Sequence, residues 1–323
     1  MAYIVKYIDS CARNNIDIYT LCQRDLKLGN RVVLVCSEKY ATMYTGDSVV
    51  PVNSAKVVKN CTAPLMLLTA EKSAGLAAVE LSAALYAVEC QLYIGYNGIF
   101  TSDPNVTDYA NRLDRIDYDE VVELCHSGYT GVDMQVVEAA KKAGVILHVL
   151  PYNNPDGEGT IIKEVMAFGS ATVKGIMKEP DICIVSLRDI PDVSGISYHI
   201  FQAVSDAGIN VDMISLPASD YGRQDISFTI HKEDKDAAEK ILKEKQAELG
   251  YSDVIIKDDV AKISVVGSGV KTSKGVAARV FGILYKNGIS LRLISTSEIK
   301  ISVFVDKESA DLAVQKIHND FIN

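Results

Sequence analysis

Two textures of apolar and polar positions divide the chain. In the first part, short continuous apolar runs at 3–7, 31–36, 64–69, 90–94 and 145–150 alternate with stretches at 75–88, 118–127 and 133–143, whose apolar residues recur at helical spacing. Strands that are apolar throughout, each followed by a helix, are those of a parallel sheet covered on both faces, so a three-layer α/β domain is expected. Beyond residue 180 the strands shorten and pair off. A β-branched run at 182–187 leads through a polar turn to a helix at 195–207 stopped by Gly208. A strand at 209–215 follows, then one at 225–231 in which Ile226, Phe228 and Ile230 alternate, and then a charged helix at 235–249.

The same order recurs at 261–266, 275–287, 289–295, 299–306 and 309–321. The recurrence is visible residue by residue at an offset of 80: Gly195 matches Gly275, Phe201 matches Phe281, Gly208 matches Gly288, Ile214 matches Ile294 and Ser215 matches Ser295. After a shorter loop the offset becomes 75, setting Ile226, Ser227 and Phe228 against Ile301, Ser302 and Val303. Units of this order build ferredoxin-like α+β sandwiches. The expected division is therefore a sheet domain at 1–170 and two small repeats at 171–255 and 256–323, with the stretch from 160 to 180 as a link that lends a strand to the repeats.

Composition narrows the function. A net charge of −9 with no basic stripe opposes a nucleic-acid surface. No apolar run is long enough to span a bilayer and no signal-like segment opens the sequence, which points to a cytoplasmic protein without a membrane partner. The 7 cysteines are scattered without a Cys-x-x-Cys pair, so buried thiols are expected and no metal site. His126 beside Cys125 does not make a nucleophile pair, because neighbours on a helix point apart. Asp119-Glu120 reads as a helix N-terminal charge and Lys257-Asp258-Asp259 as a solvated loop.

The motif pieces of the repeats, Gly208-Ile209-Asn210-Val211-Asp212-Met213-Ile214, Asp225-Ile226-Ser227-Phe228, Ser264-Val265-Val266-Gly267 and Ile294-Ser295-Thr296-Ser297-Glu298, resemble the tandem ACT domains of aspartokinases. Upstream, Gly98-Ile99-Phe100-Thr101-Ser102-Asp103-Pro104 and Leu113-Asp114-Arg115-Ile116 are similar to the second half of the aspartokinase catalytic domain. The resemblance implies an amino-acid-kinase-like domain, here shortened and degenerate, followed by two βαββαβ ACT domains. It also implies phosphorylation of the L-aspartate side-chain carboxylate by ATP, on the way to lysine, threonine and methionine, under feedback control by the ACT pair.

The segments that carry that chemistry are altered. The family opens with a lysine, an aromatic, two glycines and a hydroxyl residue, where this chain reads Lys6-Tyr7-Ile8-Asp9-Ser10. Side chains in that bend block backbone N–H groups from reaching phosphate, and Asp9 adds a repelling charge. Lys72 to Ala77 lacks the family's Ser-Asp-Thr-Thr, Ile94-Gly95 replaces its Thr-Asp, and Gly128-Tyr129-Thr130 with Asp133-Met134-Gln135 replaces its Gly-Ala-Lys and His-Pro-Arg. Lys6 and Ser10 remain of the catalytic set, and Gly98, Asp103 and Pro104 of the nucleotide-binding set. No cofactor is required unless the domain is catalytic, in which case MgATP is the donor.

The resemblance then makes ligand binding by the ACT pair the leading expectation. The helix opening at Gly195-Ile196 offers N–H groups to a carboxylate, and Asn210, Val211 and Asp212 on the next strand offer a partner to an ammonium. In the second repeat Arg292 stands where Asp212 does in the first, so binding there needs Ser297 and Glu298. The effector expected is lysine or threonine, with a homodimer through the ACT units and association with an active aspartokinase as partners. The alternatives are a working aspartate kinase under ACT control and an assembly-only protein.

Overall fold

A computed structural model describes residues 2–9, 17–44, 48–165, 172–217 and 222–322. Its first sheet comprises β1 (Tyr3–Tyr7), β2 (Arg31–Ser37), β3 (Val50–Val52), β4 (Leu65–Ala70), β5 (Glu89–Ile94), β6 (Arg115–Ile116), β7 (Leu147–Pro151) and β8 (Thr160–Ile162), in the order β3-β4-β2-β1-β5-β7-β8-β6. All pairs are parallel except β7 with β8.

Alternation along each strand sends side chains to two cores. Val5, Val33, Val35, Met66, Leu92 and Val149 pack under the helices Ala74–Leu85, Tyr118–His126 and Met134–Ala143. Ile8, Val32, Leu34, Leu67, Tyr93 and Leu150 pack under the helix Ile18–Lys27. The three-layer α/β expectation holds. The helices Ile18–Lys27, Glu38–Ala41 and Ala55–Asn60 and the strand β3 were not visible in the polarity pattern. They are short, and Ile18–Lys27 buries four residues, Ile18, Leu21, Cys22 and Asp25, one of them charged.

The two repeats share one six-stranded sheet, made of β9 (Gly175–Pro191), β10 (Val211–Ser215), β11 (Arg223–His231), β12 (Asp253–Val266), β13 (Leu293–Thr296) and β14 (Lys300–Asp306), in the order β10-β11-β9-β12-β14-β13. The long strands β9 and β12 run antiparallel through both repeats. Ile184 to Arg188 pair with Lys257 to Asp253, giving the first repeat its fourth strand. Gly175 to Glu179 pair with Val266 to Lys262, giving the second repeat its own. The division at residues 255 and 256 thus falls inside β12. Lys257-Asp258-Asp259, read from sequence as a loop, is strand, and Asp258 binds Lys235 Nζ at 2.8 Å. A charge run can stay in a strand where its side chains reach an opposite charge.

Helices Ile196–Asp206 and Lys235–Leu249 cover one end of this sheet, and Val276–Lys286 and Ala310–Phe321 cover the other. The opposite face is buried as well: Ile182, Ile184, Val260 and Phe304 pack with Met213 of β10 and Leu293 of β13, the two edge strands. Edge side chains reach the middle of a six-stranded sheet only if the sheet coils so that its ends fold over one face. The pairing shifts on either side of Val260 supply the extra twist.

Candidate functional site

Lys6 interrupts the apolar run of β1, and its register opposite Gln91 sets it on the sheet face that carries Ile8 and Tyr93. It is 1% exposed. Its three donors are all used: Leu21 O at 2.6 Å, Tyr93 OH at 3.0 Å and Asp25 Oδ2 at 2.7 Å. Tyr93 donates onward to Gln91 Oε1 at 3.0 Å, and Gln91 Nε2 to Glu89 Oε1 at 2.6 Å. Glu89 sits 3.2 Å from His148 Nδ1, and His148 Nε2 lies 2.8 Å from Glu158 O.

Burial alone would raise the Glu89 carboxyl and lower the His148 imidazole. Their mutual hydrogen bond, with Gln91 on Glu89 and the Glu158 carbonyl on His148, outweighs it, so Glu89 lies below and His148 above the ordinary value. Lys6, Arg24, Asp25, Gln91, Tyr93 and His148 line a polar cavity of about 180 Å³.

The bend after β1 is stitched to its neighbours. Ile8 is fully buried, its N–H donates to Val35 O at 3.1 Å and its carbonyl accepts from Tyr44 OH at 3.2 Å. Asp9 Oδ1 accepts from Ser37 N at 2.8 Å. Ser10 lies outside the described residues. A nucleotide phosphate needs free N–H groups and an uncompensated cation at this place, whereas the Ile8 N–H and the Lys6 ammonium are both taken inside the fold. Lys6 and Ile8 therefore do not present to MgATP the free donors that the family's pattern would require.

Gly98, Asp103 and Pro104 lie at a different cavity, of about 120 Å³, with Tyr129, Lys178 and Val314 among its walls. Ligand pockets generally enclose about 300–1,000 Å³. Gly98 has φ +96 and a Cβ there would lie 2.4 Å from Thr160 Oγ1, so this glycine answers to packing against β8. The Asp103 carboxylate closes its own turn, accepting from Asn105 N at 2.8 Å and Asn105 Nδ2 at 2.9 Å. Lys6 and the nucleotide-side residues Gly98, Asp103 and Pro104 thus line separate cavities.

In the first repeat Gly195 has φ +91 with open space around a would-be Cβ, and it opens the helix Ile196–Asp206. Ile196 is buried and Val211 half-buried, whereas Asn210 and Asp212 are exposed at the start of the edge strand β10. Asp212 is exposed yet paired: its Oδ2 lies 2.8 Å from Lys262 Nζ, whose other partner is Glu179 Oε2 at 2.6 Å. Burial would lower the Lys262 ammonium, but the Asp212 and Glu179 hydrogen bonds together raise it.

In the second repeat Arg292 binds both oxygens of Asp306 at 2.7 Å. Ser297 and Glu298 are exposed in the turn between β13 and β14, where Ser297 N donates to Lys300 O at 2.8 Å.

Sequence reasoning missed Lys262 and the glutamates of the helix Tyr118–His126. Glu120, read as a helix N-terminal charge, is buried. Its Oε1 accepts from Ser268 N at 2.9 Å, and Glu123 pairs with Lys300 at 2.6 Å. The signal for Lys262 was present: a lysine inside the apolar run of 260–266 needs a buried counter-charge.

The comparisons with known proteins agree with this architecture. Residues 9–151 match the amino acid kinase family, and residues 183–246 and 263–321 match the ACT domain. The chain is 38% identical over 245 residues to an aspartate kinase of Pseudomonas fluorescens, covering 75% of this chain and 59% of that one. It is 36% identical over 249 residues to an aspartokinase of Thermus thermophilus, covering 76% and 60%.

Among solved structures, the aspartate kinase of Clostridium acetobutylicum aligns with a TM-score of 0.74 at 20% identity, covering 83% of this chain and 66% of that one. E. coli aspartokinase III in complex with lysine and aspartate aligns at 0.68 and 19% identity, covering 85% and 68%. At such identities the two share the fold. An amino acid kinase domain joined to an ACT pair defines the class, and the chain belongs to the aspartokinase family. It spans about 59% of the length of the curated relatives it matches. Among the described residues no helix is long and apolar enough to cross a membrane and no cluster of side chains could hold a metal ion.

Proposed function

We propose that this protein is a regulatory, amino-acid-sensing member of the aspartokinase family in which phosphotransfer is weak or absent. The observation that carries this reading is the state of Lys6: its three donors are used inside the fold and its charge is met by Asp25, while Ile8 and Asp9 fill the bend that would approach phosphate. Phosphoryl transfer depends on positioned cations and N–H donors more than on covalent chemistry, so their loss removes most of the catalytic power.

The ACT pair takes over as the functional site. In the first repeat the helix opening at Gly195-Ile196 receives a free amino acid's carboxylate, and Asn210 and Asp212 receive its ammonium. Lysine and threonine are the effectors expected, and the partners are a second copy through the ACT units and a catalytically active aspartokinase. Support for one better site per chain comes from Arg292, which stands at the matching place in the second repeat and binds Asp306.

Two measurements test the reading. A coupled assay of ADP release with ATP and L-aspartate is expected to stay at background, and an ordinary enzymatic rate would overturn it in favour of a working aspartate kinase. Thermal unfolding with lysine, threonine and methionine is expected to show stabilisation by one of them, about 2.7 kcal/mol at a hundred times its dissociation constant. No shift with any of the three would favour the assembly-only alternative.

A further inference from the structure

We propose that Lys262 gates the amino acid site of the first repeat: its ammonium competes with a ligand's ammonium for the Asp212 carboxylate and passes the outcome to β9 through Glu179. The inference deepens the reading of Gly195 and Asp212 as a ligand site and rests on it.

Three observations carry it. Lys262 is 3% exposed and holds two carboxylates, Asp212 at 2.8 Å and Glu179 at 2.6 Å, whereas the Asp212 side chain is 55% exposed. Asp212 is therefore open to solvent on one side and committed to a buried cation on the other. An arriving ammonium brings a second positive charge to the same carboxylate, and two cations sharing one anion repel each other. Lys262 then falls back on Glu179, the partner it already holds.

The ladder gives this contact its reach. Asp212 on β10 and Lys262 on β12 are separated by β11 and β9, so in a flat sheet their backbones would stand about 14 Å apart, with side chains pointing off the plane. They meet because the sheet coils. The pair is consequently a contact between the repeats, and what happens at the edge strand of the first is felt on the central strand of the second.

Glu179 extends the contact to the sheet domain. It follows Met177 and Lys178, which line the cavity at Gly98 and Asp103. The same strand is bonded to the loop beside that cavity: Ile176 N donates to Thr101 O and Ser102 Oγ donates to Ile176 O, both at 2.8 Å. The second repeat has no such gate at the matching place, since Arg292 binds Asp306 of its own repeat. The ligand class that follows is a free α-amino acid; acylation of its ammonium removes the competition.

The test is calorimetric titration of the full chain with L-lysine and L-threonine, using wild type, Lys262→Met, Glu179→Gln and Asp212→Asn. Lys262→Met frees Asp212 and is expected to bind the effector about tenfold tighter. Glu179→Gln leaves Lys262 to Asp212 alone and is expected to bind more weakly, and Asp212→Asn to lose binding. Hydrogen exchange across 175–180 is expected to change with ligand in wild type and not in Lys262→Met. If Asp212→Asn loses binding while Lys262→Met and Glu179→Gln bind as wild type does, the gate is wrong and the site stands. If neither wild type nor Lys262→Met binds either amino acid, or Asp212→Asn binds normally, the site reading fails and the gate with it. Should Lys262→Met not fold, Glu179→Gln decides, and an unchanged affinity overturns the proposal.

Discussion

Lys6→Met separates a lysine that holds the fold from one that waits for phosphate. The wild-type ammonium sits among Asp25, the Leu21 carbonyl and Tyr93, with side-chain exposures of 2% for Lys6 and 11% for Asp25. Removing one member of a buried ion pair leaves the other charge uncompensated and costs about 3–5 kcal/mol. For a domain of this size each kcal/mol moves the midpoint by roughly 2–4 °C, so the sheet domain is expected to unfold about 6–20 °C lower. Differential scanning calorimetry of the full chain reads this as a shift of one transition. The double variant Lys6→Met with Asp25→Leu removes both charges and is expected to recover most of the loss, because apolar replacement of a whole buried pair is near neutral. A shift below about 2 °C for Lys6→Met alone would refute the reasoning, since a structural lysine cannot be removed at so little cost.

Further outcomes follow from other contacts. His148 is raised by Glu89 and the Glu158 carbonyl, so the stability it adds is present below its ordinary value of 6.5 and lost as pH rises through the higher folded value. Melting curves on the two sides of that window should converge in His148→Gln, and an undiminished pH dependence would contradict this assignment. Gly98→Ala places a Cβ 2.4 Å from Thr160 Oγ1 at positive φ and is expected to cost on the order of 2–4 kcal/mol by denaturant titration. Gly195→Ala meets open space and should cost only about 1–2 kcal/mol, so equal losses would count against the packing argument. Glu123→Lys and Lys300→Glu each break a half-buried pair between the sheet domain and the second repeat. Each single change should widen the gap between the midpoints of the two parts and the double swap should restore it, whereas additive effects would show that the pair does not couple the two parts.

Much of the fold was legible because its signals are local. The five apolar runs of the first domain and the repeat offset translate directly into strands and a duplicated unit, and the charged helix at 235–249 was readable to the residue. What escaped depends on contacts between distant segments. β9 and β12 each serve both repeats, a pairing that no window of sequence contains. Lys6 and Lys262 look like breaks in apolar strands until Asp25, Glu179 and Asp212 arrive from elsewhere in the chain. Glu120 reads as a helix-start charge and also caps Ser268, which lies 148 positions away. The site residues themselves were legible as residue types, but whether Gly98, Asp103 and Lys6 would share one cavity was a question for three dimensions.

The most direct test of the filled phosphate bend is titration of MgATP into the full chain, with and without L-aspartate, followed by calorimetry. The account predicts no saturable heat in the range where kinases bind nucleotide. Stoichiometric binding that tightens with L-aspartate and releases ADP would contradict it.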